Sequence, residues 1–385
     1  MIPYGRQNIS EADIQAVVEV LRSDYLTQGP AVPAFENAVA TYCGTQHAIA
    51  VNSATSALHI ACLVLDVGNG DIVWTSPITF VASANCALYC GASVDFVDID
   101  PKTYNLSIEK LKEKLIKAKK LGKLPKVVIP VHLSGQPCDM RAIGKLSMEY
   151  GFRVIEDASH AIGAKHLDKP VGNCEYSDIT VLSFHPVKII TTGEGGMALT
   201  NKPDLARKMQ LLRSHGITRD QHEMTHASDG PWYYQQIALG LNYRMTDIQA
   251  ALGLSQMSRL DSFVAKRHEI AARYNELLKD LPLILPHQHV DSFSALHLYV
   301  IRLQLDKINK THKEVFESLR VAGIGVNLHY IPVYRQPYYR EFGYLMTDWP
   351  ESEKYYEEAI SLPIYPALMA GEQDKVIQIL TETIA

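Results

Sequence analysis

The sequence predicts an α/β protein, with a large unit built on a mostly parallel central sheet over residues 1–260 and a smaller α+β unit over residues 261–385. Three observations carry that expectation. Short, continuously apolar segments alternate with helical patterns through the first two thirds of the chain, as strands buried on both faces do. After Asp261 the pattern changes to a long helix followed by a sparser mix of strands and helices. An apolar share of 47% over 385 residues is enough for two cores.

Taken in order, Ser10-Glu11-Ala12-Asp13 has the form of a capping box and opens an amphipathic helix reaching about Arg22. The run DYLTQGP (Asp24–Pro30) breaks it, and a second helix follows from about Val32 to Tyr42. Strands are expected at His47–Asn52, Ile72–Thr75, Ser93–Val97, Lys126–Val131, Arg153–Glu156, Thr180–Phe184 and Met197–Thr200. Helices fall between most of them, including Thr55–Val67, Ile108–Lys120 and Arg141–Tyr150. The second unit reads as a helix at Phe263–Leu281, a strand at Leu296–Leu303, a helix at Thr311–Val321, a strand near Gly325–His329 and a closing helix after Gly371.

Charge narrows the partners. With 37 basic and 42 acidic residues the net charge is −5, and no basic block is present, which argues against nucleic acid or an anionic membrane. No run of about 20 apolar residues occurs, so a membrane-spanning helix is excluded. The opening Met1–Arg6 lacks an apolar signal core, so a cytoplasmic protein is expected. The six cysteines form no C-x-x-C pair and the 15 histidines no H-E-x-x-H, so free thiols and no metal are expected.

Four segments at strand ends or helix starts carry the chemistry, since open α/β sheets bind ligands at the carboxyl ends of their strands. Asn52-Ser53-Ala54-Thr55-Ser56 joins a strand to a helix, and the unpaired N–H groups of a first helical turn suit a phosphate. Glu156-Asp157-Ala158-Ser159-His160 ends a buried strand, where Asp157 could hold a protonated ring nitrogen. Ser183-Phe184-His185-Pro186-Val187-Lys188 runs into a glycine-rich turn, and a desolvated lysine there is a neutral amine able to form a Schiff base. Asn242-Tyr243-Arg244-Met245-Thr246 opens an alanine-rich helix. Singly, each has an ordinary explanation as a helix cap or a solvated charge. Jointly they offer a phosphate cradle, an acid for a pyridinium nitrogen and an amine for an aldehyde, the groups that pyridoxal 5′-phosphate requires. No G-x-G-x-x-G fingerprint is present, which counts against a nicotinamide or flavin enzyme.

These motifs, with SPITFVASANC (Ser76–Cys86), EDASHAIGA (Glu156–Ala164), SFHPVKIITTGEGG (Ser183–Gly196), RSHG (Arg213–Gly216) and NYRMTDIQAALGLSQ (Asn242–Gln256), resemble the DegT/DnrJ/EryC1/StrS sugar aminotransferases over nearly the whole chain. The resemblance implies an aspartate-aminotransferase-like (fold type I) architecture and pyridoxal phosphate as cofactor, cycling through pyridoxamine phosphate. It implies that Lys188 carries the cofactor as a Schiff base and shuttles the proton, that Asp157 pairs with the pyridine nitrogen, and that His160 lies at the ring edge. Phe80 would stack on the ring, and Ala54, Thr55, Ser56 and Ser183 would bind the phosphate. Asn242 would reach the phosphate of a neighbouring subunit, which implies a homodimer with shared sites. Tyr4, Tyr25, Leu26, Thr27, His329 and Tyr330 match positions that line the sugar-nucleotide pocket.

The implied reaction moves the amino group of L-glutamate, leaving 2-oxoglutarate, to C4 of a UDP-linked 4-keto-6-deoxy-N-acetylhexosamine. GDP- or dTDP-linked 4-keto sugars are alternatives, because a fold does not select its sugar. For the donor carboxylate the candidates are Arg244, Arg6 and Arg219. Related sugar dehydratases carry histidine in place of the lysine, so Lys188 favours transamination over dehydration. A cofactor-binding regulator without catalysis is the remaining alternative.

Overall fold

The computed structural model describes residues 1–384. Its centre is a seven-stranded sheet in the order His47–Val51, Gly196–Thr200, Ile179–Ser183, Arg153–Asp157, Val127–Ile129, Ile72–Thr75, Ser93–Phe96. Only Gly196–Thr200 runs antiparallel to its neighbours. The strands are apolar on both faces because both are covered. Ile49, Val51, Val181 and Ala198 pack with the helices Ala54–Val64, Ala82–Tyr89 and Pro203–Leu212, while Ala50, Leu182 and Leu199 face Ala31–Cys43 and Asp247–Met257. Farther along that second face, Trp74, Val128 and Val154 meet Ile108–Leu121 and Met140–Tyr150.

Local signals set the helix ends. Ser10 and Asp13 form the expected reciprocal capping box on Glu11–Leu21. Thr246 and Gln249 do the same for Asp247–Met257. The helix expected to reach Val67 stops at Val64, because Asp66 takes a left-handed backbone conformation (φ 56°).

The C-terminal part holds a three-stranded antiparallel sheet, Leu283–Ile284, Tyr299–Leu303 and Ala359–Leu362, with Tyr299–Leu303 in the middle. The helices Leu260–Leu278, His312–Val321 and Ala370–Ile384 close a separate hydrophobic cluster over it. The strand expected from Leu296 begins only at Tyr299. Leu296 is left-handed (φ 49°), and its carbonyl and that of His297 accept from the buried Arg267 guanidinium at 3.2 and 3.1 Å. The strand expected near Gly325–His329 shrinks to Ile324–Gly325, which pairs in parallel with Ile2–Pro3 from the start of the chain. That pairing carries Tyr4 to the end of the small sheet's strand Ala359–Leu362, where its carbonyl accepts the N–H of Ile364 at 3.0 Å.

All six cysteines are free. No helix among the described residues is long and apolar enough to cross a membrane.

Candidate active site

The carboxyl ends of the parallel strands His47–Val51, Ile179–Ser183 and Arg153–Asp157 open with the start of Gly196–Thr200 onto a cavity of about 520 Å³. At the first strand's end, Ser53 caps the helix Ala54–Val64, its hydroxyl accepting the Ser56 N–H at 3.1 Å. The N–H groups of Ala54 and Thr55 are left free of that cap at the cavity wall. Gly196 stands directly across, and any Cβ on it would collide with the backbone of Ser53 and Ala54. The bare helix terminus is therefore held open by a glycine in the next strand.

Asp157 closes its strand inside the cavity, 5% exposed. Its Oδ2 accepts from Ser83 Oγ at 2.6 Å and its Oδ1 from the Ser159 N–H at 3.1 Å. Because Ser83 spends its hydrogen on the carboxylate, its oxygen receives the Thr79 hydroxyl at 2.7 Å. A buried carboxylate ordered by such donors is set to take a further charge-assisted bond from a ring N–H.

Lys188 sits in the turn before Gly196–Thr200, its backbone N–H donating to the His185 carbonyl at 2.9 Å. Burial lowers its amine to about pKa 8, against the opposing pull of Asp157. The histidines around it are kept neutral. His160 and His297 are pushed well down, first by burial and then by their charged neighbours, and His329 to about 3 by burial and by Lys188.

Of the residues singled out from sequence, Tyr4, Ala54, Thr55, Phe80, Asp157, His160, Ser183, Lys188, His329 and Tyr330 line this one cavity. Ser56 does not: its hydroxyl turns away to the Asn52 side-chain carbonyl at 2.6 Å, and Ser53 takes its place at the wall. Tyr25, Leu26, Thr27, Asn242 and Arg244 are also outside it. Thr27 pairs with Thr246, and the Asp247 carboxylate accepts the N–H groups of Gly29 and Ala31, both at 2.8 Å. These contacts fix the two segments side by side on the outer surface of the chain. Arg244 is spent on Ser214 Oγ at 3.0 Å and Arg219 lies over Tyr234, so neither arginine lines the cavity, and nor does Arg6. Thr79, Ser83, Glu194 and His297 were not anticipated. Ser83 lies within the SPITFVASANC motif, but nothing local shows that its hydroxyl meets a strand end 74 residues away.

A free helix terminus, a strand-end carboxylate and an amine whose pKa is lowered by burial fit the phosphate, ring nitrogen and aldehyde of pyridoxal 5′-phosphate. On a sheet of this topology they define a fold type I enzyme dependent on that cofactor. Comparison with known proteins makes the class specific. The chain belongs to the DegT/DnrJ/EryC1/StrS aminotransferase family, whose model matches residues 7–381. The UDP-4-amino-4,6-dideoxy-N-acetyl-beta-L-altrosamine transaminase of Campylobacter jejuni is 38% identical over 368 residues, 95% of this chain and 93% of that one. Helicobacter pylori PseC, an aminotransferase involved in the biosynthesis of pseudoaminic acid, superposes with a TM-score of 0.90 at 31% identity, covering 100% of this chain and 99% of that one. Spr1654 from Streptococcus pneumoniae, solved in its PLP form, gives a TM-score of 0.88 at 28% identity with both chains covered at 100%. The chain is a pyridoxal-phosphate-dependent aminotransferase.

Proposed function

We propose that this aminotransferase acts on a sugar nucleotide, moving the amino group of L-glutamate to C4 of a UDP-linked 4-keto-6-deoxy-N-acetylhexosamine. The product is UDP-4-amino-4,6-dideoxy-N-acetyl-β-L-altrosamine. The observation that carries the reading is the full-length likeness to PseC and to the Campylobacter jejuni transaminase, with the lysine present in the turn before Gly196–Thr200.

Bound pyridoxal phosphate supplies an aldehyde that exchanges the amino group and a ring that holds the electron pair of a broken C–H bond. Lys188 Nζ anchors the cofactor between turnovers and, once released, takes the proton from the donor carbon and later delivers it. A pKa near 8 suits it to both directions at neutral pH. Asp157 holds the ring nitrogen protonated, with Ser83 and Ser159 keeping its carboxylate in place. Ala54, Thr55 and Ser183 bind the phosphate, Phe80 covers the ring face, and His160 stands at the ring edge. The neutral His329 with Tyr4 and Tyr330 forms the sugar side, where an uncharged wall suits a hexose ring. The protein works in the cytoplasm as a homodimer. The outward-facing Tyr25, Leu26, Thr27, Asn242 and Arg244 complete the partner's cavity, with Asn242 on the cofactor phosphate.

The test is a panel of 4-keto-6-deoxy sugars on UDP, GDP and dTDP, each supplied with L-glutamate, with 2-oxoglutarate release and kcat/KM measured. The UDP-linked N-acetylhexosamine should lead. A higher kcat/KM on a GDP or dTDP sugar would move the assignment to that nucleotide, and no 2-oxoglutarate from any of them would end it.

A further inference from the structure

The polar atoms around His160 have a direction. The Ser134 N–H donates to His160 Nδ1 at 3.3 Å. A neutral imidazole that accepts on Nδ1 carries its hydrogen on Nε2. That nitrogen lies 3.1 Å from Tyr330 Oη, so the ring donates and the phenol oxygen accepts. Tyr330 therefore keeps its own hydrogen free. It finds no acceptor among the described residues, and the side chain lines the cavity.

The arrangement is stiff. Gly135 is left-handed (φ 95°), and a Cβ there would stand 2.8 Å from the His160 carbonyl and 3.0 Å from the Leu296 N–H, so only glycine lets this turn press onto the histidine. The His297 ring, with centroids 4.4 Å apart, blocks His160 from the other side. Burial, helped by Tyr4 and Asp157, pushes the Tyr330 phenol up, so it stays protonated.

We infer that Tyr330 is a dedicated hydrogen-bond donor to an oxygen that carries or develops negative charge in the cavity, with His160 as the positioning residue that orients it. Resting on the transamination reading, two oxygens have that chemistry: the keto oxygen of the sugar nucleotide and the ring hydroxyl oxygen of the cofactor. No proton needs to change hands. A fixed donor aimed at such an oxygen stabilises the charge as it grows.

The experiment compares wild-type holoenzyme with Tyr330→Phe, which keeps the ring and removes the hydrogen, after thermal melts establish that both are folded. Two arms are read: the pH titration of the bound cofactor's absorbance, and single-turnover rates of the glutamate and keto-sugar half-reactions. A shifted titration supports the donor role and assigns it to the cofactor oxygen. An unchanged titration with a keto-sugar step slowed roughly 10- to 100-fold, and the glutamate step slowed less, assigns it to the substrate. An unchanged titration with both half-reactions near wild type overturns the inference. A wild-type enzyme that performs neither half-reaction refutes the function proposed above instead, and the titration arm then decides for Tyr330 alone.

Discussion

The cavity floor and the paired surface segments at residues 24–30 and 242–247 are built on opposite terms. On the floor, Asp157 and His160 are each 5% exposed, and every polar atom of the carboxylate and imidazole has a partner. In the surface pair the backbone is equally well tied, through Asp247, yet Tyr25 and Leu26 leave 55% and 49% of their surface in water. A rigid backbone that presents large side chains outward is a surface prepared for a partner. The floor is tied within one chain, and in the homodimer proposed above the rim is completed by a second.

The sharpest way to break this comparison is to separate the two halves. Lys188→Ala should abolish transamination and the visible band of the bound cofactor, a loss of about a thousandfold or more. Arg244→Ala combined with Tyr25→Ala should cripple the rim while leaving the lysine intact. Co-refolding the two inactive proteins should restore roughly a quarter of wild-type turnover, since half of a random mixture is hybrid and each hybrid dimer has one intact site. A mixture as inactive as its parents would place the whole site within one chain.

A smaller effect is expected from Ser83→Ala, which leaves Asp157 in place but strips a donor from its Oδ2. Loss of one charge-assisted bond of about 1–2 kcal/mol should lower kcat around tenfold with little change in KM for glutamate. A KM effect without a kcat effect would mean that the hydroxyl chain serves binding rather than the ring nitrogen.

The mildest test is pH. Because burial lowers Lys188 to about 8, its neutral form is present at lower pH than in a solvated lysine. The rate at which apoprotein captures pyridoxal phosphate should rise through pH 7 and level off above about 8. A rise continuing towards pH 10 would show a solvated amine.

Most of the large sheet was legible in the chain because strands buried on both faces are written as unbroken apolar runs. Ile72–Thr75 matches its expected bounds, and the other six agree within two residues at each end. Ala359–Leu362 escaped notice because three apolar residues and a serine directly after the acidic helix Pro350–Glu358 are too short a run to carry a period of their own. Lys188 and Asp157 could be found because each closes or follows a strand. The Thr79–Ser83–Asp157 and Ser134–His160–Tyr330 chains could not, since a hydroxyl's direction is set by partners far along the sequence. The direction of the Ser56 hydroxyl was hidden for the same reason: a serine at the third position of a helix can face the cavity or its own cap, and here it turns to Asn52.

The strand Ile2–Pro3 has one more consequence. Its only ladder partner, Ile324–Gly325, stands 322 positions further along the chain. Tyr4 takes its post in the cavity only once that long loop is closed, so the proposed sugar-facing wall is raised after the floor is laid. Closing a pair so distant along the sequence is a late step of folding, and refolding from denaturant should regain cofactor colour before it regains selectivity for the sugar.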